Sequence, residues 1–106
     1  MTDCIFCKII NGEFNTEFVY EDDVCVVFKD INPKADIHLL LVPKMHVESL
    51  NDLDDENLLG KLMMNVRKVT KQLGIKSYRI VINTGREAGQ EVFHLHIHIL
   101  SGDIKL

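Results

Sequence analysis

Three histidines stand at alternate positions, His94, His96 and His98, separated by Leu95 and Ile97 and followed by Ile99. Side chains of an extended segment alternate with period two. The three imidazoles therefore share one face, and the aliphatic side chains share the other and can bury against a core. A row of imidazoles suits proton and phosphoryl transfer, or a metal; the plainer reading is a polar sheet face. Cys4-x-x-Cys7 is the second candidate cluster. It reads as a redox pair (although the βαβ setting of such pairs is missing), as two plain buried thiols, or as half of a zinc site that needs two more ligands.

Composition limits what these groups can serve. The chain has 106 residues, enough for one modest core, so one domain over 1–106 is expected. Sixteen acidic residues against 12 basic ones give a net charge of −4, which disfavours nucleic acid or another polyanion held by bulk charge. No apolar run approaches the roughly 20 residues that cross a bilayer, so no membrane partner is expected. Met1-Thr2-Asp3-Cys4 has no basic or apolar leader pattern, and three cysteines cannot all pair within one chain. A reducing, cytoplasmic location follows as the expectation.

The elements that must position these residues can be read from pattern. Residues 4–11 suggest a short helix with Asp3 as N-cap and Gly12 beyond its end. Residues 18–20 and 24–28 suggest two strands around an acidic turn, with Cys25 an ordinary strand residue. Residues 37–42, stopped by Pro43, suggest a strand buried on both faces. A helix is predicted from an Asp52 N-cap to Gly74, with Leu58, Leu59, Leu62, Met63, Val66, Val69 and Leu73 within an arc of about 140°. Gly60 and Met64 lie off that arc; with Arg67 they suggest a second, intermolecular face, the alternative being one scattered exposed methionine. Residues 78–83 and 92–100 complete five strands joined by a hairpin-length loop, 84–91. The expected class is α+β, a five-stranded antiparallel sheet with one main helix and a short N-terminal helix.

Taken in order, several segments resemble one family. Phe93-His94-Leu95-His96-Ile97-His98-Ile99-Leu100 is similar to the His-x-His-x-His-x-x signature, x being apolar, of the histidine triad (HIT) superfamily, and most resembles its bacterial Hint-like branch. Asp3-Cys4-Ile5-Phe6-Cys7-Lys8-Ile9, Phe28-Lys29-Asp30-Ile31-Asn32-Pro33, the run from His38 through Pro43 to His46, and Asn83 with Ala88-Gly89-Gln90 extend the resemblance over nearly the whole chain.

The resemblance implies a HIT-like, dimeric fold and hydrolysis at a nucleoside α-phosphate, typically of a purine nucleoside phosphoramidate. It implies that His96 is the nucleophile and forms a nucleotidyl-histidine, that His98 contacts a non-bridging oxygen and helps move protons, and that His38 supports both. An imidazole of ordinary pKa near 6.5 is neutral at pH 7, and a covalent intermediate divides one hard step into two. Asn83, Gln90 and the amides around Gly89 would meet phosphate charge with neutral donors. Asp30 fits a ribose-hydroxyl acceptor, or else an Asp-capped turn before Pro33. Ile5, Phe6, Ile9, Phe28 and Ile31 could line a base pocket, or simply pack in the core. Glu91 stands where many relatives carry a serine near the leaving group, and a carboxyl of raised pKa could act there as a general acid. Leu106 ends the sequence where longer relatives extend along the pocket. His98, where the transferase branch carries glutamine, favours a hydrolase.

For the cysteine pair, the resemblance implies a structural Zn2+ held by Cys4, Cys7, His46 and His94, a closed Cys₂His₂ set. Three other readings compete: a catalytic zinc on His94, His96 and His98; a nucleotide-binding regulatory module with little turnover; and a dinucleoside-polyphosphate hydrolase of the same superfamily. His96→Ala would lose metal on the first of these. On the family reading it keeps metal and loses activity, and Cys7→Ala does the reverse.

Overall fold

The computed structural model describes residues 3–105; Met1, Thr2 and Leu106, part of the terminal readings above, lie outside them. In chain order the elements are α1 (Ile5–Ile10), β1 (Tyr20–Glu21), β2 (Cys25–Lys29), β3 (Ala35–Pro43), α2 (Glu56–Gln72), β4 (Arg79–Val81) and β5 (Ile97–Ile104). The strands form one antiparallel sheet in the order β1-β2-β3-β5-β4, as the α+β reading requires. Among the described residues no helix is long and apolar enough to cross a membrane.

Period-two alternation divides the sheet into two different faces. Cys25 and Val27 of β2, Leu39 and Leu41 of β3, and Ile97 and Ile99 of β5 join Leu62, Val66 and Val69 of α2 in the larger core. Val26 and Phe28, with Leu40 and Val42, form a second cluster with Phe6 of α1. The central strands are therefore buried on both sides, and the histidines emerge on the α1 side.

Several local boundaries differ from the sequence reading, each for a visible reason. The side chain of Asp55, not Asp52, accepts the N–H groups of Asn57 and Leu58 at 3.0 and 3.1 Å and starts α2. Residues Leu50–Asp52 form a separate 3-10 turn capped by Ser49. Cys4, not Asp3, caps α1, its Sγ accepting from the Cys7 N–H at 3.4 Å. At the far end of α2, Gly74 adopts φ +70°, and the Ile75 and Gly74 N–H groups return to the Thr70 and Lys71 carbonyls. These paired bonds are the left-handed stop expected there.

The apolar arc is wider than the face that packs. Met63 and Leu73 are exposed, whereas Asn65 and Thr70 are buried. Asn65 is tolerated inside because its Nδ2 donates to Asp22 Oδ2 at 2.9 Å. Asp22 Oδ1 in turn accepts the N–H groups of Val24 and Cys25, which shapes the β1–β2 turn. Period and hydrophobicity carry no record of such a bond.

The last strand is also displaced along the chain, running Ile97–Ile104 rather than 92–100. Regular pairing in β5 begins at Ile97, so His94 and His96 lie in an extended lead-in rather than in the sheet ladder. Alternation survives there because Leu95 is anchored in the α2-side core and its N–H donates to the Val47 carbonyl at 2.7 Å.

Candidate active site and metal centre

The β3–β5 register places His38 opposite Leu100 and His98 opposite Leu40. The two imidazoles are diagonal neighbours on one face, and His38 Nε2 lies 2.9 Å from His98 Nδ1. The backbone N–H of Lys34 donates to His38 Nδ1 at 3.0 Å, which assigns the proton of a neutral His38 to Nε2. That N–H donates to His98 Nδ1 and leaves the Nε2–H of His98 for a ligand. For Asp30 the capped turn is present, Oδ1 accepting the Asn32 N–H at 2.8 Å, and Oδ2 lies 3.4 Å from His38 Nε2. Asp30, His38 and His98 also lie within metal-ligating reach of one another. With its Nδ1 engaged by Lys34, His38 has no second lone pair to offer, so this trio is a hydrogen-bond relay.

His96 is held differently. Its Nδ1–H donates to the His94 carbonyl at 2.7 Å, so Nε2 keeps an open lone pair. Its ring centroid is 5.0 Å from that of His98. Burial pushes all three pKa values below the usual histidine value, with Asp30 opposing the shift in each. For His98, the neighbouring His96 and His38 add to burial and bring it down to about 4. Three neutral imidazoles at pH 7 result.

These side chains wall a cavity of about 540 Å³, a volume in the range of small-molecule sites. Ile5, Phe6 and Ile9 of α1 line it, as do Phe28, Asp30 and Ile31 from the end of β2 and the turn after it. Asn83, Gly89 and Glu91 enter from the loop before β5. The apolar group divides on exposure: Phe6 (6%) and Phe28 (5%) are core residues with one edge on the cavity, whereas Ile5 (48%) and Ile31 (92%) are open to a ligand.

Gln90 does not join them. Its Oε1 accepts the Gly85 N–H at 2.9 Å, and its Nε2 donates to the Glu48 and Val92 carbonyls at 2.7 and 3.1 Å. The amide is 2% exposed and its hydrogen-bonding capacity is committed to holding the loop, so it does not replace Asn83 as a donor toward the cavity. Sequence reasoning also missed Thr16, Leu40, Val81 and Leu100 on the wall, and the backbone of Lys34. Period-two alternation could have found Leu40 from His38 and Leu100 from His98, whereas Thr16, Val81 and Lys34 have no local signature.

Cys4, Cys7, His46 and His94 converge from three segments, with all four ligand atoms within 4.8 Å of one another. Cys4 Sγ lies 3.2 Å from His94 Nδ1 and Cys7 Sγ 3.4 Å from His46 Nδ1; the two Nδ1 atoms are 3.1 Å apart. A tetrahedral zinc with the usual bond lengths has ligand–ligand edges of about 3.3 Å for N–N and 3.5 Å for N–S. The donor set fits. The Nε2–H of His94 donates to the Pro43 carbonyl at 2.8 Å, which fixes the tautomer that turns a lone pair on Nδ1 toward the thiols. The four residues can thus bind a metal, and four protein ligands leave no place for a reactant on it. Since His94 faces this cluster, it is not available to the His96–His98 pair as a third open imidazole.

The sheet order, the diagonal histidines and the separate Cys-His cluster define a histidine-triad protein, and the chain belongs to the HIT domain family, whose model matches residues 11–105. It is 52% identical over 103 residues to Protein HitA of Neisseria gonorrhoeae, covering 94% of this chain and 96% of that protein. The crystal structure of a HIT family hydrolase from Legionella pneumophila matches with TM-score 0.89 and 39% identity, covering 95% of this chain and 94% of that one. A histidine triad protein from Clostridium difficile matches with TM-score 0.91 and 44% identity, over 97% and 93% of the respective chains.

Proposed function

We propose that this protein, one HIT domain over 1–106, is a nucleotide hydrolase of the purine nucleoside phosphoramidase type. The observation that carries the reading is the open Nε2 lone pair of His96, held by the His94 carbonyl at the wall of a nucleotide-sized cavity. His96 Nε2 attacks the α-phosphorus and the bond to the leaving amine breaks, the amine taking up a proton. Water then releases a nucleoside monophosphate from the nucleotidyl-histidine. The Nε2–H of His98 meets a non-bridging oxygen and helps move the proton, with its tautomer set through His38. Asn83 meets phosphate charge, Asp30 the ribose, and Ile5 and Ile31 the base. The amides around Gly89 are not free for this, since the Ala88, Gly89 and Gln90 N–H groups donate to the Gly85 and Arg86 carbonyls. Glu91, exposed on the rim, favours an amine over an anionic polyphosphate as leaving group.

Quenching the protein during turnover of an adenosine phosphoramidate tests this reading, with the expected result an adenylyl group on His96 in the peptide mass map. Turnover without any such adduct, or no turnover on this substrate class, would sink it.

The depressed pKa values add a pH signature. His98 works as a neutral group, and its pKa is lowered to about 4, so protonation becomes appreciable only below about pH 5. With His96 and His38 also held below the ordinary histidine value by burial, a plot of kcat/KM against pH from 4 to 8, with metal content followed in parallel, should place its acid limb below 6.5. An acid limb centred at the ordinary histidine value would contradict it.

In the Cys-His cluster we propose a structural Zn2+, supported by the two thiols and two imidazole nitrogens and their near-tetrahedral spacing. We propose a cytoplasmic location, supported by two cysteines placed as metal ligands and a third, Cys25, buried in the core as a thiol. We also propose a homodimer. A side chain at Gly60 would meet nothing within 4 Å, Met64 is half exposed on the same face, and β4 is an uncovered sheet edge. Acids at the start of α2 and Arg67, Lys68 and Lys71 near its end suit antiparallel pairing of two copies. Gly60→Gln should shift the protein from dimer to monomer in light scattering; an unchanged mass would remove Gly60 from the interface.

A further inference from the structure

We infer that Phe6 is a positioning residue that couples the Cys-His centre to the cavity, so that a metal in the one and a nucleotide in the other each tighten binding of the other. This rests on the nucleotide and metal readings above and adds a link between them.

The link is α1. A helix of six residues does not persist in water without tertiary anchors. This one has three. Cys4 and Cys7 tie it to His46 and His94, Phe6 packs in the α1-side core, and Ile5 and Ile9 present it to the cavity. Phe6 lies between the cysteines, and its ring meets the His96 ring edge-on, with centroids 5.1 Å apart and planes at 90°. The same ring lies 5.9 Å from His94 and 5.8 Å from Phe28. His94 belongs to both sites at once, since its imidazole faces the thiols and its carbonyl holds the His96 Nδ1–H. Whatever orders α1 from one side therefore leaves less to order from the other. Two ligands that share one ordering step bind with positive, reciprocal coupling.

The test measures both affinities. Cobalt(II) replaces the native metal, and its affinity is read from its visible bands in competition with a chromophoric chelator, with and without saturating AMP. AMP affinity is then measured on metal-loaded and metal-free protein. In the wild type each ligand should tighten the other about fivefold or more, by the same factor in both directions. Phe6→Leu keeps an apolar filler but loses the aromatic edges. The factor should fall below about twofold while both ligands still bind; Phe6→Met takes its place if the leucine variant does not fold. Cobalt and AMP binding independently in the wild type, or an undiminished factor in the Phe6 variant, would overturn this inference alone. Failure of AMP to bind would overturn the nucleotide reading with it, and failure of cobalt to bind would overturn the metal reading with it.

Discussion

His96→Ala is expected to lower turnover of an adenosine phosphoramidate by at least about 10⁴-fold while leaving the metal content of the purified protein unchanged. The size follows from removing a nucleophile, whose loss eliminates the covalent route and leaves only what binding and the remaining donors supply. Retention of metal follows from geometry: the His96 Nδ1–H is used on the His94 carbonyl, and no atom of its imidazole belongs to the Cys4, Cys7, His46 and His94 set. Turnover and metal analysis on one preparation separate this from a catalytic zinc on the triad. In that case the same substitution would strip the metal together with the activity. Substrate affinity should change far less than kcat, because Asp30, Ile5, Ile31 and Asn83 still line the cavity.

The second large effect concerns stability. Cys7→Ala should abolish stoichiometric zinc binding and lower the melting temperature by about 10–30 °C, while turnover at 25 °C falls by no more than about tenfold. A ligand held at 100–1,000 times its Kd stabilises a fold by about 2.7–4.1 kcal/mol, and in a domain of this size each kcal/mol moves the midpoint by about 4–8 °C. The loss should be greatest in α1, which Cys7 fastens directly, and should reach the α2-side core through Val47 and Leu95, the chain neighbours of His46 and His94. Thermal melts of wild type with and without a chelator, beside the variant, provide the check. Equal melting points for chelated wild type, untreated wild type and Cys7→Ala would show that the cluster holds no stabilising metal. The modest residual cost to turnover is expected from the loosened Ile5, Phe6 and Ile9, which share α1 with the two thiols.

Much of this was legible in order of residues alone, and the reason is periodicity. Alternation separated Leu95, Ile97 and Ile99 from the histidines even where the ladder hydrogen bonds do not reach, because core burial of the aliphatic side chains enforces it. The stop of α2 was legible because only a residue tolerant of φ +70° can sit at position 74. The start of α2 was not. Asp52, Asp54 and Asp55 are equivalent as capping residues, and the choice fell to the Ser49-capped 3-10 turn that occupies residues 50–52. Asn65 could not be placed inside from sequence, since its burial depends on Asp22, forty-three residues away.

For the site, residue types sufficed to gather the candidates, and the chain order of motifs tied them to one family. Roles within the set depend on hydrogen bonds that sequence does not encode locally. One face of alternating histidines says nothing about which imidazole is open. The Pro43 and His94 carbonyls and the Lys34 N–H decide that by fixing one tautomer each, turning His94 toward the thiols, His96 toward the cavity and His98 into a donor. Gln90 shows the converse: a residue chemically suited to bind phosphate has its amide consumed by the loop it stabilises. Sequence by itself determined the sheet, its two faces and the inventory of reactive groups, because side-chain burial and period act along the chain. Periodicity left the three histidines equivalent and only resemblance assigned their roles. The tertiary structure supplies the physical reason, because each tautomer is set by the group the fold brings within 3 Å, a backbone carbonyl for His94 and His96 and the His38 ring for His98.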